Sequence, residues 1–206
     1  MSEPTLFIVA SPSGGGKSSL IRALLERDEH VALSVSHTTR KPRPGEINGE
    51  HYYFVDNDEF LDLVQKNAFL EHAMVFDHRY GTGRAAVEKQ LEQGSHVLLD
   101  IDWQGARQVK QSFPACRGIF ILPPSMEELR LRLTNRGQDD EAVIDRRMRD
   151  ASAEMSHWDE FDFLVINDDF QAALDDLASI VRNGEPLRQG QDAKTHEILA
   201  DFLQTR

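Results

Sequence analysis

The stretch LFIVASPSGGGKSSLIRALL, residues 6–25, decides the fold of this chain. It begins with the run Leu6–Ala10, whose lack of polar alternation is typical of a strand buried on both faces of a parallel sheet. A glycine-rich turn follows, and after Lys17 the apolar residues recur at helical spacing. The sequence therefore predicts a strand, a glycine loop and a helix, in that order.

The glycine-rich turn has the chemistry of an anion-binding loop. Glycines 14–16 let backbone N–H groups approach an anion closely, and the helix start adds positive partial charge. Lys17 supplies a mobile positive charge for terminal phosphates, and Ser18 supplies a hydroxyl for Mg²⁺. We therefore predict a nucleotide-phosphate loop, although Ser11 stands where the full pattern has a glycine, five residues before Gly16.

Further along the chain, buried-strand patterns alternate with helical patterns. The strand patterns lie at 96–102, 118–122 and 163–167, and the helical patterns lie at 84–93, 103–111, 125–135 and 170–182. Such alternation implies an α/β fold with a parallel sheet core and helices on both faces. The length of 206 residues fits one domain with an insertion.

Residues 34–83 do not follow this alternation. They hold a basic, proline-rich stretch at 38–45 and strand patterns at 51–55 and 69–76, with a helix expected at 58–66 that Asp58 would cap. We interpret this region as an insertion with a small mixed sheet. The predicted division is a core (1–33, 84–123 and 158–206), the insertion (34–83) and a two-helix segment (124–157). A C-terminal helix, with Ile198, Leu199, Phe202 and Leu203 apolar, would pack either on the core or on another subunit.

The composition excludes several classes of protein. Acidic residues outnumber basic ones by 35 to 23, and the resulting net charge of −12 repels nucleic acid and anionic lipid. With Cys116 as its one cysteine, the chain has neither an intrachain disulfide nor a cysteine-based metal site. Its apolar runs are far shorter than the roughly 20 residues of a membrane span. We expect a cytoplasmic protein that binds neither nucleic acid nor membrane.

Two basic clusters stand out against this acidic background. One contains Arg40, Lys41 and Arg43, and the other is a set of six arginines within 126–150. A phosphoryl group in transfer spreads negative charge over its oxygens, which arginine binds bidentately. The helix-face partners Arg132 and Arg136, together with Arg147 on the next helix, are our candidates for this task. Arg130 and Arg149 fit a solvated helix face paired with acidic neighbours.

Asp100 closes the strand pattern at 96–102. A carboxylate at the carboxyl end of a parallel strand beside a phosphate loop can hold Mg²⁺ directly or through water. We therefore predict that Ser18 and Asp100 serve the metal.

The string SVSHTTRKPRPGEINGEHYYFV, residues 34–55, strongly resembles the signature of guanylate kinases, as do DIDWQGA at 100–106 and INDD at 166–169. The resemblance spans about residues 5–182. It implies a P-loop nucleoside monophosphate kinase fold with a GMP-binding insertion and a helical lid at 124–157. It also implies transfer of the γ-phosphoryl group of ATP to GMP, and to dGMP, with Mg²⁺ present, as a step of purine nucleotide metabolism.

The resemblance further implies roles for individual residues. The ATP-binding residues are Ser11, Pro12, Ser13, Gly14, Gly15, Gly16, Lys17, Ser18 and, near the adenine, Asn167. The residues that contact the GMP phosphate are Arg40, Arg43, Tyr52 and Tyr80. Those that contact the guanine are Ser36, Glu71 and Thr82, and Asp102 contacts the acceptor nucleoside. The catalytic set is Lys17, Arg43, Arg132, Arg136 and Arg147.

The chemistry of guanine agrees with these roles. Guanine presents N1–H and N2–H₂ as adjacent donors, which the Glu71 carboxylate accepts as a pair, while the Ser36 hydroxyl donates to O6. Adenine lacks the 2-amino group and would leave Glu71 unpaired, which costs about 1–3 kcal/mol or more for a buried charge.

Two other functions remain in competition. The first is a binding module of the same family that has lost catalysis, which the intact Gly16, Lys17 and Ser18 disfavour. The second is a P-loop kinase for a different nucleoside monophosphate. The oligomeric state stays open between a monomer and a homo-oligomer.

Overall fold

The computed structural model describes residues 3–75, 77–135, 140–187 and 192–203. The chain divides into two compact units, of which unit 1 comprises Val9–Glu29 and Arg117–Arg206 and unit 2 comprises Glu3–Ile8 and His30–Cys116. The three functional parts expected from the sequence stay a prediction. Among the helices of the described ranges, none has the length and apolar character needed to cross a membrane.

The helices and strands are as follows. The strands are β1 (Leu6–Ala10), β2 (Val31–Leu33), β3 (His37–Thr38), β4 (Tyr53–Phe54), β5 (Phe69–Val75), β6 (His78–Gly83), β7 (His96–Asp100), β8 (Arg117–Leu122) and β9 (Phe163–Ile166). The helices are α1 (Lys17–Arg27), α2 (Asn57–Gln65), α3 (Arg84–Glu92), α4 (Trp103–Ser112), α5 (Met126–Asn135), α6 (Glu141–Met155), α7 (Phe170–Asn183) and α8 (Asp192–Leu203), with a 3₁₀ turn at Trp158–Glu160.

The long apolar runs form the strands that the sequence predicts. All five residues of β1 are buried, and so are the last five of β8. In unit 1 the strand order is β1-β8-β9, with β8 and β9 parallel and Leu122 opposite Ile166. In unit 2 the order is β2-β7-β1, with β2 and β7 parallel. The α/β class with a parallel sheet core is thus confirmed.

Unit 2 also contains the small mixed sheet expected in the insertion. Its order is β4-β3-β6-β5, in which β3 pairs parallel with β4 and antiparallel with β6. Strands β2, β3 and β6 were not predicted from the sequence, and the strand expected at 51–55 is limited to Tyr53–Phe54. The sequence HRYGTG of β6 lacks a continuous apolar run, so its pairing depends on neighbouring strands rather than on local pattern.

The cap of α2 corrects one prediction. Asp56, not Asp58, is the N-cap, because its extended backbone lets its carboxylate accept a hydrogen bond from the Glu59 N–H at 2.8 Å. Asp58 lies inside the first turn, where a negative charge interacts favourably with the helix dipole.

The C-terminal helix packs within unit 1. Ile198, Leu199 and Phe202 are buried in a cluster with residues of α5 and α6, among them Leu133 and Met148. Of the two positions left open by the sequence, the described residues of α8 therefore occupy the one against this chain's own core.

Candidate active site

The phosphate loop, residues 11–18, is built around two glycines in the left-handed region. Gly14 and Gly16 both have φ +95°, a conformation that side chains with a Cβ rarely adopt. A Cβ at Gly14 would lie 2.8 Å from Cδ1 of Leu129, and one at Gly16 would overlap Nδ2 of Asn167. Both positions therefore require glycine for conformation and for space.

Asn167 contacts this loop directly. It follows β9, where its N–H donates to Leu122 O at 2.8 Å, and it is buried. Its Nδ2 donates to Gly15 O at 2.8 Å. Its own carbonyl accepts from Nη2 of Arg132 at 3.0 Å, and Nε of Arg132 donates to Glu128 at 2.8 Å. Arg132 and the glycine-rich loop are thus joined through one asparagine.

Ser13 is held by two side chains of α6. Nη2 of Arg147 donates to Ser13 Oγ at 2.8 Å, and the Ser13 N–H donates to Oε2 of Glu154 at 3.1 Å. The spacing of seven residues places Arg147 and Glu154 two turns apart on one face of α6. Arg136 lies outside the described residues.

The remaining basic side chains of this region differ in exposure. Arg130 pairs with Asp145 at 2.7 Å on the surface, as expected for a solvated helix face. Arg132 is more enclosed, with about a quarter of its side chain exposed.

Lys17 and Ser18 begin α1, directly after the left-handed Gly16. The Ser18 residue is exposed, and Lys17 is partly buried. In unit 2, Asp100 is the last residue of β7 and is partly buried. The described residues contain no group of three or more His, Cys, Asp or Glu side chains placed to hold a metal. Each of these two side chains offers an oxygen, the kind of ligand that Mg²⁺ prefers.

Glu71 is the buried carboxylate of unit 2. It lies on β5 with 4% exposure, and its Oε1 accepts a hydrogen bond from the Thr82 hydroxyl at 2.6 Å. Burial, reinforced by the charge of Asp102, raises the pKa of Glu71 to about 7, although the hydrogen bonds from Thr82 oppose that shift. A Cβ at Gly105 would lie 2.9 Å from its Oε2. The fold thus keeps a carboxylate next to a glycine, poised between its two protonation states near neutral pH.

Asp102 has a second task beside this site. Its Oδ1 caps α4 by accepting from the Gly105 N–H at 2.8 Å. The same cap fixes the position of Gly105, which lies against the Glu71 carboxylate.

A second cluster in unit 2 combines an arginine with aromatic rings. The Arg40 guanidinium lies 5.3 Å from the ring centroid of Tyr52 and 5.8 Å from that of Phe54. The rings of Tyr52 and Tyr80 meet edge to face with centroids 6.0 Å apart. Burial raises the pKa of Tyr52, so its phenol stays protonated and able to donate.

The unit 2 residues that the sequence predicts for the site therefore lie mainly in two clusters. Arg40, Tyr52 and Tyr80 cluster in unit 2, and Glu71 joins Thr82 there. Ser36 precedes β3 and accepts at its carbonyl from the Tyr53 N–H at 2.9 Å. Arg43, in the segment between β3 and β4, is exposed.

Three glutamates that contact these residues, Glu46, Glu128 and Glu154, had no predicted site role. Glu128 had a detectable signal, because it lies four residues before Arg132 on the same helix. Glu46 lies in an irregular loop, and Glu154 contacts a residue 141 positions away, so no periodicity indicates either contact.

Comparison with known proteins bears on this arrangement. The family model described as guanylate kinase matches residues 3–184. The chain belongs to the guanylate kinase family. It is 55% identical over 199 residues to a guanylate kinase of Alkalilimnicola ehrlichii, covering 97% of this chain and 98% of the relative. It is also 55% identical over 205 residues to a guanylate kinase of Escherichia coli strain K12, covering 98% and 99%.

A solved structure gives the same result for the fold. The crystal structure of guanylate kinase from Anaplasma phagocytophilum matches with a TM-score of 0.73 and 34% identity, covering 97% of this chain and 95% of that one. As a member of the guanylate kinase family, the chain is a nucleoside monophosphate kinase that phosphorylates GMP with ATP as the donor. The resemblance carried by residues 34–55 is thus confirmed.

Proposed function

We propose that the two sites described above are the nucleotide sites of this kinase, the phosphate loop taking ATP and the insertion taking GMP. The observation that carries the assignment is the buried Glu71 carboxylate held by the Thr82 hydroxyl. A carboxylate in such surroundings needs donors to complete its hydrogen bonding, and the N1–H and N2–H₂ edge of guanine supplies two. Adenine cannot supply this pair, so the same group selects GMP over AMP.

On the donor side, the loop amides of residues 11–16 bind the ATP phosphates, with Lys17 at the terminal groups. Support comes from the left-handed Gly14 and Gly16 and from the start of α1. Arg132 and Arg147 neutralise charge that develops on the transferred group, with Arg136 as the third arginine, and Asn167 contacts the adenine region. The contact of Arg147 with Ser13 supports this, since it keeps a guanidinium beside the loop.

On the acceptor side, Arg40, Arg43, Tyr52 and Tyr80 bind the GMP phosphate. Arg40 supplies bidentate donors and the tyrosines supply phenolic ones. The clustering of Arg40 with both tyrosines supports this. Ser36 and Thr82 complete the contacts to the base, and Asp102 contacts the nucleoside.

The reaction follows from these roles. An oxygen of the GMP phosphate attacks the γ-phosphorus of ATP, a new P–O bond forms, the bond to the β–γ bridging oxygen breaks, and ADP leaves with that electron pair. The attacking oxygen is already anionic, so no general base is required, and the protein contributes positioning and charge neutralisation. Mg²⁺, when bound with Ser18 and Asp100 among its contacts, would neutralise phosphate charge and orient the donor.

The same proposal covers the parts of the chain. Residues 34–83 form the GMP-binding region, residues 124–157 form the lid, and the rest forms the core. Lid closure would exclude water and limit hydrolysis of ATP. We further propose a cytoplasmic enzyme that also accepts dGMP, binds neither nucleic acid nor membrane, and acts as a monomer or a homo-oligomer.

A coupled ADP-release assay with GMP, dGMP, AMP, UMP and CMP as acceptors tests the base-reading role. We expect kcat/KM for GMP to exceed that for AMP by at least roughly 100-fold, the order of magnitude that loss of a buried charged hydrogen-bond pair predicts. In the variant Glu71→Gln the ratio should fall, mainly through the KM for GMP. An unchanged ratio in that variant would refute the assignment of Glu71.

A further inference from the structure

The guanidinium of Arg40 has most of its donors already engaged. Its Nη1 donates to Lys41 O at 2.9 Å and to Oε2 of Glu46 at 2.9 Å, and its Nη2 donates to Oε1 of Glu46 at 2.8 Å. Arginine has five N–H donors. These three bonds use both Nη1–H groups and one Nη2–H, so the donors outside them are the Nε–H and the second Nη2–H, which lie side by side on one edge of the guanidinium.

That remaining edge is directed by its surroundings. Tyr80 is close enough to the guanidinium to help raise the pKa of Arg40, after the larger effect of Glu46. The rings of Tyr52 and Phe54 cover the guanidinium within 6 Å. The Nε and Nη2 pair is the geometry that binds a phosphate bidentately.

Glu46 also holds the loop that carries the second arginine. Its Oε2 accepts from the Arg43 N–H at 2.7 Å, and its own N–H donates to Arg43 O at 3.0 Å. The Glu46 carboxylate therefore binds the side chain of Arg40 and the backbone N–H of Arg43. The pair is largely enclosed, with 13% of the Arg40 side chain and 17% of the Glu46 side chain exposed. An ion pair in this position is less screened than one on the surface.

We propose that Glu46 is a positioning residue for the GMP phosphate: it holds the end of the Arg40 guanidinium so that the Nε and Nη2 edge meets the phosphate, and it fixes the turn that presents Arg43. This rests on the proposed assignment of Arg40 and Arg43 to that phosphate. Arg40 also lowers the pKa of Glu46 to about 2, so the carboxylate stays charged throughout the working pH range. The pair is therefore in place before substrate binds.

A competing model predicts the opposite consequence of the same contact. A carboxylate beside the phosphate site would repel the GMP dianion, and GMP would then have to displace it from Arg40. The two alternatives predict opposite changes in affinity when the charge of Glu46 is removed.

The test compares Glu46→Gln with Glu50→Gln, since Glu50 is exposed, lies four residues further on and carries the same charge. Calorimetric titrations would measure the dissociation constants of GMP and of guanosine, which lacks the phosphate, and steady-state assays would measure KM and kcat. We expect Glu46→Gln to bind GMP roughly 10- to 100-fold more weakly, the range expected for lost charge-assisted hydrogen bonds. Guanosine binding, the KM for ATP and the Glu50→Gln variant should stay within about twofold of the unaltered chain.

Each other outcome is decisive. Tighter GMP binding by Glu46→Gln would show that Glu46 competes with the phosphate, and would overturn the proposal. Equal weakening of GMP and guanosine would indicate general damage to the insertion, and would also overturn it. The variant Arg40→Gln separates this proposal from the site assignment. If Arg40→Gln loses GMP affinity while Glu46→Gln does not, only the role of Glu46 fails, and if neither loses it, the phosphate site itself is wrongly assigned.

Discussion

Replacing Glu71 by glutamine removes the charge from a carboxyl group that is only 4% exposed. Burial raises the pKa of this group from its ordinary 4.5 to about 7. The variant Glu71→Gln keeps an oxygen that can accept from the Thr82 hydroxyl but cannot ionise. The substitution therefore isolates the free energy of the buried charge.

The sign follows from linkage between protonation and folding. Below pH 4.5 the group is neutral in both the folded and the unfolded chain, so it costs nothing. As the pH rises above 4.5, the unfolded chain releases this proton while the folded chain keeps it. The free energy of unfolding therefore falls until about pH 7, where the folded chain also ionises. The difference between the two pKa values corresponds to about 3 kcal/mol.

We therefore expect the free energy of unfolding of Glu71→Gln, relative to the unaltered chain, to rise by about 3 kcal/mol between pH 4.5 and pH 8. Urea unfolding followed by circular dichroism at several pH values measures this change. The exposed Glu92, converted to glutamine, is the control, and it should show no such trend. A stability difference that stays constant across this pH range would refute the argument.

Substrate binding should respond in the opposite direction. Because guanine donors need the ionised carboxylate, GMP affinity of the unaltered chain should fall as the pH drops below about 7. The GMP phosphate changes its protonation state in a similar pH range. The variant Glu71→Gln controls for this effect, because it binds the same phosphate without the carboxylate. The variant is thus expected to be more stable at pH 8 and weaker in binding GMP.

Three further changes test the phosphate loop. Lys17→Ala should lower kcat at least roughly 100-fold while calorimetry shows GMP binding nearly intact, and normal turnover would contradict its role. Gly16→Ala and Gly45→Ala both place a Cβ at positive φ, but only the first overlaps Asn167, while no heavy atom of the described residues lies within 4 Å of the second. Gly16→Ala should therefore cost at least about 1 kcal/mol more stability in urea unfolding, and equal losses would exclude the clash. Asn167→Ala leaves Gly15 O without its donor and should raise the KM for ATP roughly 10-fold with the KM for GMP unchanged; a change confined to GMP would contradict this.

Much of the fold could be predicted because buried segments have a recognisable local pattern of apolar residues. β1 and β8 are continuous apolar runs, and α3 and α4 begin at the residues that the sequence indicates, Arg84 and Trp103. The short strand β3 and the glycine-containing β6 carry no such pattern. β3 pairs with β6, which lies far along the chain, and β6 also pairs with the preceding strand β5, so both strands depend on pairing rather than on a local apolar pattern.

The candidate site divides in the same way. The chemistry of the phosphate loop and of the guanylate kinase signature is contiguous, so residues 11–18 and 34–55 are recognisable by eye. The contact of Asn167 with Gly15 joins positions 152 residues apart, and that of Glu154 with Ser13 joins positions 141 apart. No local periodicity encodes such pairs.

The sequence by itself determined which residues can bind nucleotide phosphates and which apolar segments must be buried, because both properties belong to the side chains and their spacing. Only the tertiary structure decided that Glu71 titrates near neutral pH and that Glu46 holds Arg40. The physical reason is that a pKa and an ion pair depend on what surrounds a group, and those surroundings come from β5, β6 and an irregular loop assembled by folding.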